Sequence, residues 1–499
     1  MQHALLASVF IIASCGLAYE LVTAALASYL LGDSITQFST VIGAYLFAMG
    51  LGSWFSRHID GDLVRWFVQI ELAVGVLGGF ASVGLFLAFA SQIGPFRVLL
   101  YFAVLVVGIL VGLEIPLVMR ILKREVRFRD LVSRVLAVDY LGALAVSLLF
   151  PLLLAPHLGM MRTGLLFGML NAAVALYALW IFGKQRRRMP GLYGAAIGCL
   201  ILLLGGFAVA GKVSDIAESW LYADEIIHAE SSPYQRIVVT RWRDDVRLFL
   251  NRNLQFSSRD EYRYHEALVH PGLAALPQAR KILVLGGGDG MAVREILRYP
   301  QVESVTLVDL DPAMTRLFSN APLLRRLNSN ALNDARVTII NDDAARWLEE
   351  HADVFDFVIA DFPDPSNFAL GKLYSTGFYR LLKRHLAPGG YVVVQATSPY
   401  YARRAFWIIV ATLEAAGFKT APYHALVPSF GEWGYVLAGE ETPKMPTSYP
   451  EGLRFLTVEN TPVLFRFPAD MSRVPTEPNR LNDQGLVRAF EEEWKEAIH

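Results

Sequence analysis

The chain has 499 residues, 54% of them hydrophobic and 18% charged: a length for two or more domains, and fewer charges than an ordinary soluble protein carries. Forty-five basic against 46 acidic side chains leave a formal net charge of −1, which excludes a general electrostatic attraction to nucleic acid. The two cysteines, Cys15 and Cys199, both lie in apolar runs, which excludes a disulfide framework and a cysteine-rich zinc site.

Residues 1–211 hold only 23 of the 91 charged side chains. Apolar stretches of bilayer-spanning length recur there at 4–31, 35–56, 66–92, 96–119, 131–155, 159–183 and 191–211. They predict an integral membrane domain over 1–211 with about seven transmembrane helices. The first stretch has no early basic region and runs into a second, so it reads as a retained helix, not a cleaved signal. One set of alternate loops carries Arg57, Arg65, Arg120, Lys123, Arg124, Arg127, Arg129, Arg134, Lys184, Arg186, Arg187 and Arg188; the other carries Arg97 and Arg162. With seven spans this bias puts the amino terminus in the cytoplasm and the carboxy-terminal half outside, whereas a re-entrant stretch would return that half to the cytoplasm. Four acids, Glu20, Glu71, Glu114 and Asp139, fall in or near the apolar runs and must face protein or water, either as a polar path for a cation or proton or as structural pairs.

From Lys212 the pattern changes to short strands, polar turns and amphipathic helices. Ser231–Arg243 and Arg247–Leu250 predict strands of a small β region within 212–277. A βαβ unit follows: strand Lys281–Leu285, Gly-rich turn Gly286–Gly290, helix Met291–Arg298 and strand Ser304–Val308. Strands at Val337–Ile340, Phe357–Ala360, Tyr391–Gln395 and Gly434–Leu437 complete a mostly parallel, doubly wound, Rossmann-like (methyltransferase-like) α/β domain over 278–445, leaving 446–499 as a carboxy-terminal extension.

The turn Gly286-Gly287-Gly288-Asp289-Gly290 lets backbone approach a ligand, and Asp309 at the end of the next strand can accept both ribose hydroxyls. The turn alone does not separate NAD from a sulfonium nucleoside. Asp289, however, places a negative charge where it attracts an ammonium and repels a pyrophosphate, which disfavours a dinucleotide. Asp361 and Asp364 sit on the loop after the next predicted strand, at the carboxyl edge of the sheet where open α/β folds bind ligands. Loop aspartates also cap helices and fix turns, but three at ligand-facing strand ends describe a pocket for a multiply cationic substrate.

Over about 225–440 these residues resemble the polyamine aminopropyltransferases, the spermidine and spermine synthase family. Ser232-Pro233-Tyr234-Gln235 is similar to its early Tyr-Gln, and Arg259–Glu266 to its Asp-Glu-x-x-Tyr-His-Glu signature. Gly286–Gly290 matches its cofactor turn, Asp309 its ribose acid, Asp343-Ala344 its Asp-Gly against adenine, and Asp361–Pro365 its Asp-Ser-Ser-Asp-Pro. Fusion to a multi-spanning region resembles the membrane-bound bacterial branch. The resemblance implies a bacterial inner-membrane protein that transfers the aminopropyl group of decarboxylated S-adenosylmethionine to a diamine, putrescine by default. The products would be spermidine and 5′-methylthioadenosine, with the donor a co-substrate, no permanently bound cofactor and no metal.

The resemblance further implies Asp361 as the base that takes a proton from the attacking amine, with Tyr264 as its hydrogen-bond helper. Asp289 would hold the ammonium of the aminopropyl arm, Asp364 and His265 the diamine, and Gln235, Gly286, Gly288, Asp309, Asp343 and Ala344 the nucleoside. Relatives of the soluble domain assemble as dimers or tetramers, so a homo-oligomer is expected. Where the family has Ser-Ser between its two acids this chain has Phe362-Pro363; Asn251-Arg252 replaces an Asp-Gly, Phe430 a channel tyrosine, and the residue near Phe368 a proline. Two alternatives compete: a SAM-dependent methyltransferase, which prefers the intact cofactor, and a membrane polyamine transporter or sensor in which the soluble half only binds ligand.

Overall fold

The computed structural model describes residues 2–31, 34–91, 94–123, 128–183, 189–483 and 485–498, in two units that divide between Glu225 and Ile226. The first unit is helical: α1 (Gln2–Leu31), α2 (Ser34–Phe55), α3 (Leu63–Ala90), α4 (Phe96–Leu122), α5 (Phe128–Leu149), α6 (Ala155–Gly183) and α7 (Pro190–Leu221). Among the described residues six helical stretches are long and apolar enough to cross a membrane. One of them, Val132–Phe182, is 51 residues long; it joins α5 and α6 through a π-helical turn at Phe150–Leu154 and is broken at Gly159, whose φ of 74° and ψ of 170° are not helical. The sequence reading splits this stretch beside that break and so counts seven. The boundary expected at residue 211 falls inside α7, because the helix continues past the end of the apolar run into the amphipathic Lys212–Leu221.

The helices pack through small residues. α2 meets α4 where Gly52 lies against the Ile109 carbonyl and Gly112 against that of Met49, approaches a Cβ would forbid. Large apolar side chains such as Phe47, Phe102, Tyr140, Leu144, Ile201 and Leu204 face outward. Inside, a polar chain crosses the bundle: Tyr19 Oη donates to Asn171 Oδ1 at 2.7 Å, and Asn171 Nδ2 donates to Glu71 Oε2 at 2.7 Å. These bonds link α1, α6 and α3 and offset the cost of enclosing Glu71, which is fully buried. Of the loop cations, Arg120 donates to the carbonyls of Ser56 and Ile59 at 2.9 and 2.8 Å, while Arg124, Arg127, Lys184, Arg186, Arg187 and Arg188 lie outside the described residues.

The second unit holds two sheets. The smaller has the order β1 (Glu225–Ser231), β2 (Arg236–Trp242), β3 (Asp245–Leu250), β4 (Asn253–Ser257). The single strand expected over Ser231–Arg243 is interrupted at 232–235, because Pro233 has no N–H to pair and Ser232 Oγ accepts from the N–H groups of Tyr234 and Gln235, closing a turn. After α8 (Glu261–Leu273) come β5 (Lys281–Gly286), α9 (Met291–Ile296), β6 (Ser304–Asp309), β7 (Val337–Asn341), β8 (Phe355–Asp361), β9 (Leu386–Gln395), β10 (Lys419–Val427) and β11 (Gly431–Gly439). Their order is β10-β11-β9-β8-β5-β6-β7. β9, β8, β5, β6 and β7 pair in parallel, and β11 inserts antiparallel between β9 and β10, so the sheet is mixed rather than wholly parallel. The chain leaves β5 for β6 on one side and reaches β8 on the other, so the crevice opens at the carboxyl ends of β5 and β8.

Candidate active site

Register alone brings the first two parts of the site together. β5 and β8 pair so that Gly286 lies opposite Asp361. Gly286 takes a φ of 80° directly against the Asp361 carbonyl, so the turn and the acid adjoin because no side chain separates them. From α8 above, Tyr264 Oη donates to Asp361 Oδ1 at 2.6 Å. Desolvation pushes Asp361 up to about 6; the negative charge of Asp289 adds to it, while His265 and the Tyr264 hydrogen bond oppose it. A carboxylate poised near neutrality is suited to taking a proton from an ammonium.

Asp364 lies on the far side of the loop. Gln395, at the end of β9, donates from Nε2 to Asp364 Oδ1 at 3.1 Å, and its own Oε1 accepts from the Thr397 N–H at 2.9 Å, which fixes the amide. Thr397 takes a φ of 57°, the turn that carries its N–H back to Gln395. Desolvation raises Asp364 to about 7, against the pull of the Gln395 bond. Between the two acids, the hydroxyl of the fully buried Tyr374 reaches the carbonyls of Phe362 and Pro363 at 3.2 and 3.1 Å.

The Gly-rich turn and Asp309 form the nucleoside side. Gly288 N–H donates to Asp309 Oδ2 at 3.0 Å and Asp311 N–H to Oδ1 at 2.8 Å. Desolvation pushes Asp309 up to about 6 in spite of both bonds. Asp289 Oδ1 accepts from the Met291 N–H at 2.9 Å at the start of α9, which leaves Oδ2 for a ligand; desolvation raises this acid also, with His265 opposing. Gln235 donates to Asp311 Oδ2 at 2.9 Å, and Ser232 Oγ to the same oxygen at 2.7 Å, so the early Tyr-Gln is tied to the loop after β6. Asp343 caps the helix Ala344–Glu350 through Ala345 and Arg346 N–H and is paired with Lys372 Nζ at 2.7 Å; despite desolvation, these partners hold it below the ordinary carboxylate range. Ala344 is buried as the first residue of that helix.

His265 is 2% exposed on α8, one turn after Glu261, and its Nδ1 binds Glu261 Oε2 at 2.8 Å. Arg294 of α9 grips Glu261 through both terminal nitrogens at 2.9 Å. Burial works against the charged imidazole, but the bond to Glu261 and its charge outweigh it and raise His265 above its ordinary value. The structure thus gathers Asp289, Asp361 and Asp364, with Tyr264 and His265 beside them, around one crevice. Phe430 stands against Tyr264, ring centroids 6.2 Å apart. The sequence reading missed Gln395, Tyr374, Lys372, Asp311 and Glu261. Gln395 had a local signal, a polar residue closing a predicted strand at the ligand edge, and Glu261 lay within the Arg259–Glu266 signature.

A family model described as the spermine/spermidine synthase domain matches residues 261–448. Polyamine aminopropyltransferase 2 of Ralstonia nicotianae is 60% identical over 498 residues, covering 98% of this chain and 98% of that protein. The polyamine aminopropyltransferase of Leptospira interrogans is 52% identical over 498 residues, covering 100% of each. These relatives therefore extend over the amino-terminal helices as well as the α/β unit. A crystal structure of a spermidine synthase in complex with the transition-state analogue AdoDATO aligns at 24% identity with a TM-score of 0.46, over 49% of this chain and 86% of that one.

Proposed function

Because the chain belongs to the polyamine aminopropyltransferase family, we propose that its crevice transfers the aminopropyl group of decarboxylated S-adenosylmethionine to a diamine, putrescine by default, giving spermidine and 5′-methylthioadenosine. The observation that carries this reading is Asp361: a carboxylate raised to about 6, hydrogen-bonded to Tyr264 and adjoining the cofactor turn by strand register.

An alkylammonium has a pKa of roughly 10 and cannot attack until it loses a proton. Asp361 takes that proton. The freed lone pair forms the new C–N bond as the C–S bond breaks, the bonding electrons stay on sulfur, and the sulfonium leaves as a neutral thioether. No acid is needed for such a leaving group; holding the reactants in line and removing one proton are enough. Asp289 takes the ammonium of the donor's propyl arm, and Asp364, steadied by Gln395, takes the remote ammonium of the diamine. The ribose hydroxyls fall to Asp309, and the adenine to the Asp343-Ala344 corner.

We further propose that the helical unit is inserted in the bacterial inner membrane, and that the enzyme works as a homo-oligomer. Support for insertion comes from the apolar helices and their apolar outward faces. Reporter fusions after Leu221 decide which side the α/β unit faces; the loop charges favour the outside, the donor's chemistry the cytoplasm. A second reading, polyamine transport or sensing by the helical unit, draws on the buried chain Tyr19–Asn171–Glu71 and predicts amine flux that does not require Asp361.

The test of the catalytic reading is methylthioadenosine release by the detergent-purified full-length protein, with decarboxylated S-adenosylmethionine and a panel of diamines. Product that requires both the amine and Asp361, and that disappears in Asp361→Asn, is expected. Absence of product with every amine, in folded protein, refutes it.

A further inference from the structure

The family match ends at residue 448, yet the chain continues for about fifty residues that fold back onto the catalytic domain. We infer that Asn479, in this extension, is a positioning residue for the transfer reaction: it clamps the segment 371–376, which touches both halves of the pocket. The inference rests on the site assignment above.

Asn479 is 2% exposed and its polar groups are all engaged. Nδ2 donates to the carbonyls of Gly371 and Tyr374, each at 3.1 Å, and its own carbonyl accepts from the Thr376 N–H at 3.0 Å. Its N–H donates to Thr412 Oγ1 at 2.8 Å, and Oδ1 accepts from Leu486 N–H at 3.4 Å. The side chain thus holds two backbone carbonyls of a six-residue segment and the main chain of the same residue holds a third group, the Thr376 N–H, and ties them to the helix Arg403–Ala415. The segment carries two contacts into the site. Tyr374 pins the carbonyls of Phe362 and Pro363, the two residues between Asp361 and Asp364. Lys372 pairs with Asp343 on the nucleoside side.

The clamp itself is anchored on both sides. Before Asn479, Arg403 Nε donates to Ser472 O at 2.7 Å, Trp407 Nε1 to Met471 O at 3.1 Å and Thr476 Oγ1 to Trp407 O at 3.0 Å. After it, Glu493 accepts from the N–H groups of Arg404 and Ala405 at 2.8 and 3.0 Å. The extension is a strap riveted to one helix, and Asn479 is where it presses on the pocket. Transfer geometry is unforgiving, a 1 Å displacement costing on the order of a hundredfold in rate, so loosening this clamp is felt at Asp361 and Asp364 although Asn479 touches neither substrate.

The experiment compares full-length wild type with Asn479→Ala, Asn479→Asp, Tyr374→Phe and the double variant Asn479→Ala/Tyr374→Phe. For each, kcat and KM of both substrates, the acidic limb of the pH profile, the dissociation constant of decarboxylated S-adenosylmethionine and thermal unfolding are measured. Tyr374→Phe, which removes a hydroxyl that takes no part in the strap's bonds to the helix Arg403–Ala415, stands in if the Asn479 variants do not fold. The expected result is a fall of about tenfold or more in kcat/KM for the amine in each single variant, with the acidic limb displaced. The double variant should be little worse than either single one, because both act on one link. A lowered unfolding temperature with kcat, KM and the acidic limb unchanged per folded site overturns the inference, as does strict additivity. If wild type releases no methylthioadenosine, the transfer reading fails and donor binding alone decides the clamp: a dissociation constant raised about threefold or more by Asn479→Ala supports it, an unchanged one overturns it.

Discussion

Replacing Tyr264 by Phe removes one hydroxyl and the 2.6 Å bond it donates to Asp361 Oδ1. A hydrogen bond to an ionised acceptor contributes about 1.5–3 kcal/mol, and one pKa unit corresponds to about 1.4 kcal/mol. The low end of that range moves Asp361 from about 6 to about 7. The base works only when ionised, so activity is present above its pKa and lost below it. At pH 6 the ionised fraction falls from about one half to about one tenth, a loss of about fivefold, while at pH 8 it is nearly complete in wild type and about nine tenths in the variant. The assay is methylthioadenosine release from pH 5 to pH 9, analysed as kcat/KM because that quantity reports the free enzyme. Ionisation of the amine enters both proteins equally and cancels in their ratio. A wild-type to variant ratio that stays constant across the range would refute the argument, since it would mean the hydroxyl does not act through the charge of Asp361.

Asp364→Asn should stabilise the folded protein while abolishing use of the diamine. Asp364 is raised from its ordinary value to about 7, so its ionisation costs the folded state up to about 4 kcal/mol at pH 8 but only about half a kcal/mol at pH 4; thermal unfolding should show by far the larger gain at the higher pH, and a gain equal at both would contradict the sign. Gly288→Ala builds a Cβ 2.6 Å from Asp309 Oδ2, and is expected to raise the donor KM at least about tenfold with the KM of the diamine nearly unchanged. Asp289→Asn should weaken binding of decarboxylated S-adenosylmethionine by about tenfold or more, as loss of one close opposite charge requires, and narrow its preference over the intact cofactor; calorimetry with both nucleosides checks this, and an unchanged ratio would remove Asp289 from the ammonium site.

Much of the catalytic unit is legible from short-range pattern. β5 is a run of Ile, Leu and Val, and β6 and β8 are largely apolar between turn signals, as strands buried on both faces tend to be. β10 is not legible: Lys419–Val427 carries Pro422 and mixed polarity, and it is tolerated only because the strand lies at the edge beside β11, a fact of topology. The same division holds in the site. The Gly-rich turn and Asp361 announce themselves because a ligand needs backbone and charge at a strand end. Tyr374 and Asn479 do not, because Tyr374 reaches back 11 and 12 positions to backbone carbonyls of a loop, and Asn479 reaches the same segment from 105 and 108 positions away, with no local pattern to mark either. Gln235 and Asp343 were found by motif, but their partners, Asp311 and Lys372, are set by how loops fold over one another.

The polar chain through the helical unit has a consequence for the order of synthesis. Glu71 emerges 100 residues before Asn171, its hydrogen-bond donor, and at about 5–20 residues per second the ribosome needs roughly 5–20 s to supply it. During that interval α3, inserted as proposed above, carries an unpartnered acid in a surrounding that does not solvate it. Completion of α6 gives Glu71 Oε2 its donor and, through the same amide, gives Tyr19 of α1 its acceptor. Asn171 therefore acts as a timing mark: nascent chains that stop before it, or carry Asn171→Leu, should be cleared by membrane proteases faster than the full chain, as a pulse-chase experiment would show, because the acid keeps waiting for a donor that never arrives.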